Sequence, residues 1–560
     1  MIRISEGKEA ELYHDYTIHA LHAPRENEKA TALYQLLRIN EPALNVHCKQ
    51  LDLLCFPDLF PQGYGGLHQN REFQLSASDY VKTIFLSRHS RFRRSLQFLF
   101  FHLHQTTLRE LNSGIYHKLK ILRPHEKLTA GRYLQMLENQ ELEGDLTSVF
   151  ARLRNSQQYW SRPRNELNAM SFHYGPATWY LTLSPSEWSW HDMGDYLRKL
   201  NPDLSSLSIS ALVAADPIST SRFIDNKLKA FIEFIQSNND PIGKVTHYYY
   251  RREYQGRGLQ HFHFQIWIED APVIGVHPDE EISKFIAKYC TCSVPDKILS
   301  PVLYERVVNY QAHRCNNYCL RSKKTKAGLR KVCRFGFPRP TRDNLYLRSV
   351  VESVAGRKAL RENSRLYDLP RQHNERMIND YNPAVLLAWE GNMDIQYIGE
   401  KSSILNWYIT KYTTKAEKSH AKTAFTELTS NKSVASRLWN IALRSLSHRE
   451  CGALEASDTL LGIHLYGTDP STVIRWVDVN MVRSRRVKEH HVISALSEDS
   501  EDILYHSWID SYYPNRPSEL EDSNLYDLLA WHDIVYKNLV TRQHFIVCLI
   551  VFLKNDHLHT

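Results

Sequence analysis

Residues Arg251–Ile268 read R-R-E-Y-Q-G-R-G-L-Q-H-F-H-F-Q-I-W-I. From His261 onward, polar residues mostly alternate with bulky apolar ones, and the apolar positions hold aromatic and β-branched side chains. This period of two is typical of a β-strand with one buried face. The preceding run, Tyr248–Tyr254, is also strand-like, and Gln255–Gly258 between the two runs has turn chemistry. The stretch therefore predicts a β-hairpin.

Two histidines lie on one arm of this hairpin. His261 and His263 are two residues apart, so a strand places both imidazoles on the same face. The hairpin returns Glu253 to the side of the pair. Two nitrogens and a carboxylate suit Mg²⁺ or Mn²⁺ when a phosphate oxygen completes the coordination shell. We therefore predict a divalent metal site here; the alternative is a pair of solvated histidines on an exposed strand face.

A second stretch, Trp407–Lys415, reads W-Y-I-T-K-Y-T-T-K. Tyr408 and Tyr412 are four residues apart, which places them on one face of a helix, and Lys411 and Lys415 repeat that spacing. Two phenols flanked by ammonium groups suit a tyrosine nucleophile that attacks a phosphodiester, because the lysines stabilise phosphate charge and favour the phenolate. The alternative is an amphipathic helix with its tyrosines in the core and its lysines at the margin.

The two stretches together resemble a known family. The patterns E-Y-Q-x-R-G-x-x-H-x-H and Y-x-x-K-Y-x-x-K look like the Rep domain of Helitron rolling-circle transposases, which belong to the His-hydrophobic-His (HUH) endonuclease superfamily. The similarity extends from about Cys48 to Tyr536 and includes F-P-D-L-F-P-Q-G from Phe56 and N-M-D-I-Q from Asn392, where Asn392 or Asp394 is a candidate for lining the active site. The resemblance implies single-stranded DNA cleavage through a 5′-phosphotyrosine link.

A basic segment follows the hairpin. Four residues in it have ligand types that suit a tetrahedral zinc ion: His313, Cys315, Cys319 and Cys333. The nine cysteines are an odd number and three of them cluster here, which favours metal binding over disulfides and a reducing compartment. A similar His/Cys block occurs in Helitron transposases. We predict structural zinc that holds a Lys/Arg-rich, DNA-contacting loop at Leu320–Val332; the alternative is free cysteines on a basic loop.

The remaining pattern predicts an α+β fold. Ala177–Ser184 reads as a strand, and Asp192–Leu200 and Ser221–Gln236 read as helices. A central antiparallel sheet with packed helices accommodates this order, and the resemblance implies the Rep/relaxase-like HUH version of that fold. Ser76–Phe101 predicts a long helix, whereas Val385–Tyr397 predicts a strand, a turn and another strand.

Four regions are expected along the chain. Residues 1–165 form a mainly helical N-terminal region, and 166–420 form the Rep/HUH endonuclease domain with the zinc-binding insertion at 313–338. Residues 421–536 form a C-terminal extension of helical and mixed character, and 537–560 form a tail.

Composition places few limits on function. The 560 residues carry a net charge of +8 and are 42% hydrophobic, which fits a soluble globular protein that binds nucleic acid. The apolar run His544–Leu553 is too short to span a bilayer, and no secretory leader is recognisable. Arg483–Lys488 is a basic tail or a nuclear-localisation patch, and we expect a nuclear protein.

These observations predict a Helitron-type transposase fragment. It would nick single-stranded DNA at the ends of the element and transfer the strand during rolling-circle transposition, using Mg²⁺ or Mn²⁺. The phosphate-binding motif G-x-x-x-x-G-K-[ST] does not occur in the sequence, so a helicase would act in trans. The alternatives are a non-catalytic DNA-binding remnant of a degenerate or domesticated Helitron, and a fragment that does not fold stably.

Overall fold

The computed structural model describes residues 48–119, 121–122, 128–138, 154, 156, 159–254, 258–325, 328–347, 365–401, 410, 414, 451–470, 472–477, 485–505, 518–524, 532–535, 538–541 and 546–551. Among these residues, no helix combines the length and the apolar character that crossing a membrane requires.

Helices occur along most of the described chain and are most frequent in its first half. They are α1 Leu51–Cys55, α2 Ala77–Phe85, α3 Ser90–Arg94, α4 Leu96–Leu119, α5 Ala130–Glu138, α6 Ser161–Tyr174, α7 His191–Leu200, α8 Ile209–Ala215, α9 Pro217–Ile235, α10 Asp279–Tyr289, α11 Pro301–Arg306, α12 Pro383–Trp389, α13 Ala453–Leu461 and α14 His490–Ser494. The strands are β1 Ile121–Leu122, β2 Trp179–Leu183, β3 Val245–Tyr254, β4 Gln260–Ile268, β5 Leu320–Thr325, β6 Gly328–Cys333, β7 Tyr346–Leu347, β8 Tyr367–Asp368, β9 Met393–Tyr397, β10 Tyr466–Asp469, β11 Thr472–Val477, β12 Arg485–Arg486, β13 His532–Val535, β14 Asn538–Thr541 and β15 Ile546–Val551.

Five strands form one antiparallel sheet in the order β10-β3-β4-β2-β9. β3 and β4 are the two arms of the predicted hairpin, and their register pairs Glu253 with His261. β2 lies between β4 and β9, and β10 returns from far along the chain to pair with β3. The α+β class and the central antiparallel sheet are therefore confirmed.

One face of the sheet carries the main hydrophobic core. Alternate residues of β2 and β4, including Leu181 and Phe264, are fully buried there. α9 covers this face because its apolar residues repeat at helical spacing, and the ring of Phe231 lies 5.9 Å from that of Phe264. The opposite face of β4 is consequently free to carry the two histidines.

A second core joins the N-terminal helices to α13. Phe98 in α4 is fully buried, and its ring lies 5.6 Å from those of Phe85 and Phe92. Ala456 and Leu460 of α13 belong to the same cluster, as does Ile218 at the start of α9. α9 therefore extends from one core into the other.

Two local predictions are wrong. The first strand predicted within Val385–Tyr397 is the helix α12, because Pro383 occupies its first turn and the Asn382 side chain accepts a hydrogen bond from the Val385 amide at 2.9 Å. Its second strand is β9, as predicted.

The single helix predicted at Ser76–Phe101 is three helices, α2, α3 and the start of α4. The chain adopts extended geometry at His89 and Ser95. These two breaks bring the side chains of Phe92 and Phe98 into one hydrophobic cluster, which a continuous helix of this length does not allow.

Candidate active site

The two histidines of β4 lie side by side on the face of the sheet opposite α9. The ring centroids of His261 and His263 are 4.7 Å apart. β3 places Glu253 directly across from His261 and Arg251 directly across from His263. The structure thus brings together all three residues that the sequence predicts as ligands of the catalytic metal.

Hydroxyl groups from β2 hold both imidazole rings. The Ser184 hydroxyl lies 2.9 Å from His261 Nδ1. The hydroxyls of Tyr180 and Thr182 lie 2.9 and 3.2 Å from His263 Nδ1. Outer partners of this kind fix the orientation of imidazoles that bind metals, and with Nδ1 engaged, Nε2 is the atom of each ring that a metal would use. Sequence reasoning missed these residues, although the polar alternation Tyr180, Thr182, Ser184 marks the face of β2 that carries them.

Glu253 faces His263 directly, with 2.8 Å between its Oε2 atom and Nε2 of the histidine. Burial would raise the pKa of the Glu253 carboxyl, but the hydrogen bond to His263 and the charge of Arg251 outweigh burial and lower that pKa to about 2. Burial, together with the neighbouring His263, lowers the pKa of His261 to about 3. Near neutral pH the cluster therefore offers an ionised carboxylate and a neutral His261, which are the protonation states that metal binding needs.

Asp394 adds a fixed negative charge beside the histidines. It pairs with Thr182 in the sheet, and its charge acts on His261. Arg365 and Asn379 hold its carboxylate, the latter at 2.9 Å. Burial would raise the pKa of Asp394, but the charges of Arg365 and Arg339 and the hydrogen bonds from Gln396 and Asn379 together outweigh burial and lower that pKa. The neighbouring Asn392, the other candidate of this motif, instead donates to the Tyr310 carbonyl at 2.6 Å.

The four predicted catalytic residues of the second stretch lie outside the described residues: Tyr408, Lys411, Tyr412 and Lys415. Two residues between them are described. The Thr414 amide donates to the Thr410 carbonyl at 2.9 Å, which is the spacing of an α-helical turn. Arg164 of α6 donates to the Thr414 hydroxyl at 3.0 Å and to its carbonyl at 3.3 Å.

α6 connects Thr414 to the face of the sheet that carries the two histidines, which we call the metal face. The residue that precedes α6, Trp160, is fully buried, and the Arg251 guanidinium lies 4.3 Å from the centre of its ring. Arg251 is the cross-strand partner of His263. The described residues of the tyrosine stretch are therefore fastened to a helix whose start packs against the face that carries the histidines.

A buried carboxylate anchors the hairpin from its other face. Asp458 of α13 accepts hydrogen bonds from the Tyr254 hydroxyl at 2.5 Å, from Arg252 at 3.2 Å and from the Gln260 amide at 3.2 Å. The Ser221 hydroxyl of α9 donates to it as well. Tyr254 and Gln260 are the immediate neighbours of Glu253 and His261, so this network holds both arms of the hairpin at the level of these two residues.

The four residues predicted to bind zinc lie together in the structure. His313, Cys315, Cys319 and Cys333 place their ligand atoms within 4.8 Å of one another. Zinc bonds of about 2.0–2.3 Å in a tetrahedron put ligand atoms roughly 3.3–3.8 Å apart, so a small inward movement accommodates the ion. Desolvation and the neighbouring thiols raise the pKa of Cys315 to about 11. A cation would relieve this crowding of thiols, and the cluster therefore fits zinc.

The comparisons with known proteins agree with the hairpin motif. Residues 80–266 match the family model of the Helitron helicase-like domain at the N-terminus. The match ends within β4 and contains both histidines and Glu253. No curated protein matches the chain. The resemblance seen in the sequence is thus confirmed for residues 80–266, which are similar to the Helitron helicase-like domain.

Proposed function

We propose that this Helitron-related chain nicks single-stranded DNA and transfers the cut strand through a phosphotyrosine intermediate. The observation that supports the proposal most strongly is the cluster of His261, His263 and Glu253, preassembled across the hairpin. The hydroxyls on Nδ1 of both histidines and the protonation states of His261 and Glu253 fit a divalent cation better than a solvated strand face.

A Mg²⁺ or Mn²⁺ ion held by these three residues would polarise the scissile phosphate. The phenol of Tyr408 or Tyr412 attacks the phosphorus and loses its proton. The bond from phosphorus to the 3′ oxygen breaks, and that oxygen takes up a proton to become a free 3′ hydroxyl. Lys411 and Lys415 stabilise the phenolate and the phosphate charge. The new phosphotyrosine retains the energy of the phosphodiester, so resealing requires no ATP.

Arg164 and the Thr410–Thr414 turn support the same assignment. Arg164 fixes Thr414, which lies two residues beyond Tyr412 in the chain, to α6, and a nucleophile gains most when its approach is set in advance. Two tyrosines one helical turn apart permit a second cleavage while the first link persists, as rolling-circle transfer requires.

The test is incubation of the purified chain with a labelled single-stranded oligonucleotide and Mn²⁺, followed by denaturing electrophoresis. We expect a covalent protein–DNA band that disappears with a chelator, in the Tyr408→Phe, Tyr412→Phe double variant and in His263→Ala. Tyr64→Phe and His68→Ala are matched controls at exposed positions and should keep the band. Survival of the band in the double tyrosine variant would remove the tyrosines from the mechanism. Oligonucleotide binding without cleavage would favour the DNA-binding remnant.

A further inference from the structure

The net positive charge of the chain comes from one segment that lacks acidic residues. Residues 306–342 contain no Asp or Glu, and the whole chain carries a net charge of +8. The segment contains eleven cationic residues: Arg306, Arg314, Arg321, Lys323, Lys324, Lys326, Arg330, Lys331, Arg334, Arg339 and Arg342. The rest of the chain therefore has a net charge of −3. The excess of positive over negative charge therefore lies in this segment, which makes it the strongest candidate surface for a polyanion.

The middle of the segment is an antiparallel hairpin, β5–β6, whose register pairs Leu320 with Cys333. The His313/Cys315/Cys319/Cys333 cluster closes its base. Four cations around this base are exposed and form no ion pair with any described carboxylate: Arg314, Arg321, Lys331 and Arg334. Their charges are available to phosphate groups.

Exposed aromatic rings lie among these cations. The Arg334 guanidinium lies 4.1 Å from the centre of the Tyr318 ring and 4.6 Å from that of Phe335. Tyr318 is 70% exposed and Phe335 is 49% exposed, so both rings face solvent. Rings and guanidinium planes of this kind stack with unpaired bases, whereas bases inside a duplex are not accessible to them.

The hairpin is joined to the β9 edge of the metal face. Four residues after Phe335 in the chain, the Arg339 guanidinium lies 4.6 Å from the centre of the Phe337 ring. Arg339 also donates to the Asn379 side chain at 2.8 Å. Asn379 in turn donates to Asp394, the carboxylate beside His261. This chain of contacts sets the hairpin in a defined place relative to the active site.

We propose that the β5–β6 hairpin and the Tyr318–Arg334–Phe335 stack form a second binding surface for single-stranded DNA, separate from the cleavage site and shaped by zinc. The choice of single-stranded DNA rests on the proposed function. The surface binds phosphates through its exposed cations and bases through its two rings, and it includes none of the proposed metal ligands in the sheet.

The test measures anisotropy of a labelled oligo(dT) strand bound to the full chain carrying Tyr408→Phe and Tyr412→Phe, so that no covalent link forms. Adding Tyr318→Leu and Phe335→Leu should weaken binding by about tenfold or more. The slope of log affinity against log salt concentration should stay unchanged, because stacking contributes without releasing counterions. Adding Arg321→Gln and Lys331→Gln should instead lower the slope of log affinity against log salt by roughly 1.4. Phe172→Leu and Arg222→Gln, at exposed positions away from the hairpin, are the matched controls.

Two further readouts separate this surface from the nicking chemistry. Removal of zinc by Cys319→Ser should abolish bound zinc and weaken oligo(dT) binding to the level of the aromatic variant. With both tyrosines present, the aromatic variant should cleave a short oligonucleotide at the rate of the unmodified chain. Equal affinity of the aromatic variant and the unmodified chain for oligo(dT), or full competition by duplex DNA, would overturn the proposal. Absence of cleavage with these binding effects intact would overturn only the proposed chemistry.

Discussion

Replacing Asp458 by alanine removes the acceptor at the centre of the network behind the hairpin. Asp458 is fully buried, and the change strips a partner from Tyr254, Gln260 and Arg252 at once. Breaking a buried ion pair by deleting one member costs about 3–5 kcal/mol. Arg252 keeps its second partner, Asp225, at 2.5 Å, so we expect a loss of about 3 kcal/mol. Tryptophan fluorescence in urea would show it as a lower unfolding midpoint.

The same substitution should reach the metal site through the backbone. Tyr254 and Gln260 adjoin Glu253 and His261, and disturbing the outer partners of metal ligands typically costs about 10–100-fold in metal affinity. Calorimetric titration with Mn²⁺, at urea concentrations below the unfolding midpoint, should therefore show weaker Mn²⁺ binding in Asp458→Ala. In Asp458→Asn, part of the Mn²⁺ affinity should be recovered. Asp195→Ala removes a carboxylate with a 79% exposed side chain and serves as the control. A loss of less than about 1 kcal/mol with unchanged Mn²⁺ affinity would refute the role given to this network.

Three further outcomes are expected. Burial lowers the pKa of His102 to about 4, and neither ring nitrogen has a hydrogen-bond partner among the described residues. The unfolded chain takes up the proton near the ordinary pKa of 6.5. The free energy of unfolding should therefore fall by up to ~3 kcal/mol as the pH drops from 6.5 to 4. His102→Leu should remove this part of the decline in urea midpoints measured across that range, and an unchanged decline would contradict it. Arg164→Gln should slow formation of the protein–DNA adduct by about tenfold or more. The affinity for Mn²⁺ should stay within about twofold, since Arg164 holds Thr414 and no proposed metal ligand. Equal adduct rates in the variant and the unmodified chain would count against the Arg164 contact. Cys319→Ser should lose its zinc in elemental analysis, and undiminished zinc would exclude the cysteine as a ligand.

The hairpin was predictable because its information is local. Alternation at period two, a glycine-containing turn and the two-residue spacing of the histidines all act within Arg251–Ile268, and no distant segment alters them. The His/Cys cluster was predictable for a related reason, since ligand chemistry identifies its members even where their spacing departs from a common motif.

Predictions failed where a local helix start was overlooked, and they stopped where distant contacts decide the structure. Val385–Trp389 has the composition of a strand, but Asn382 and Pro383 start a helix and the core accepts its buried residues. Nothing local marks Asp458 as the partner of a hairpin some 200 residues earlier. β10 reads Y-G-T-D, without apolar alternation, and its place in the sheet depends on Gly467, where an added Cβ would collide with the Tyr250 ring.

β10 also determines when the sheet can be finished during synthesis. β3 ends at Tyr254 and its outer partner begins at Tyr466, so the ribosome must add more than 200 residues between them. At about 5–20 residues per second, the hydrogen-bonding edge of β3 waits on the order of 10–40 s for its neighbour. An uncovered strand edge is a template for pairing with other chains. Copies of this gene that stop before Tyr466 should therefore aggregate or be degraded, even when both histidines and both tyrosines are intact.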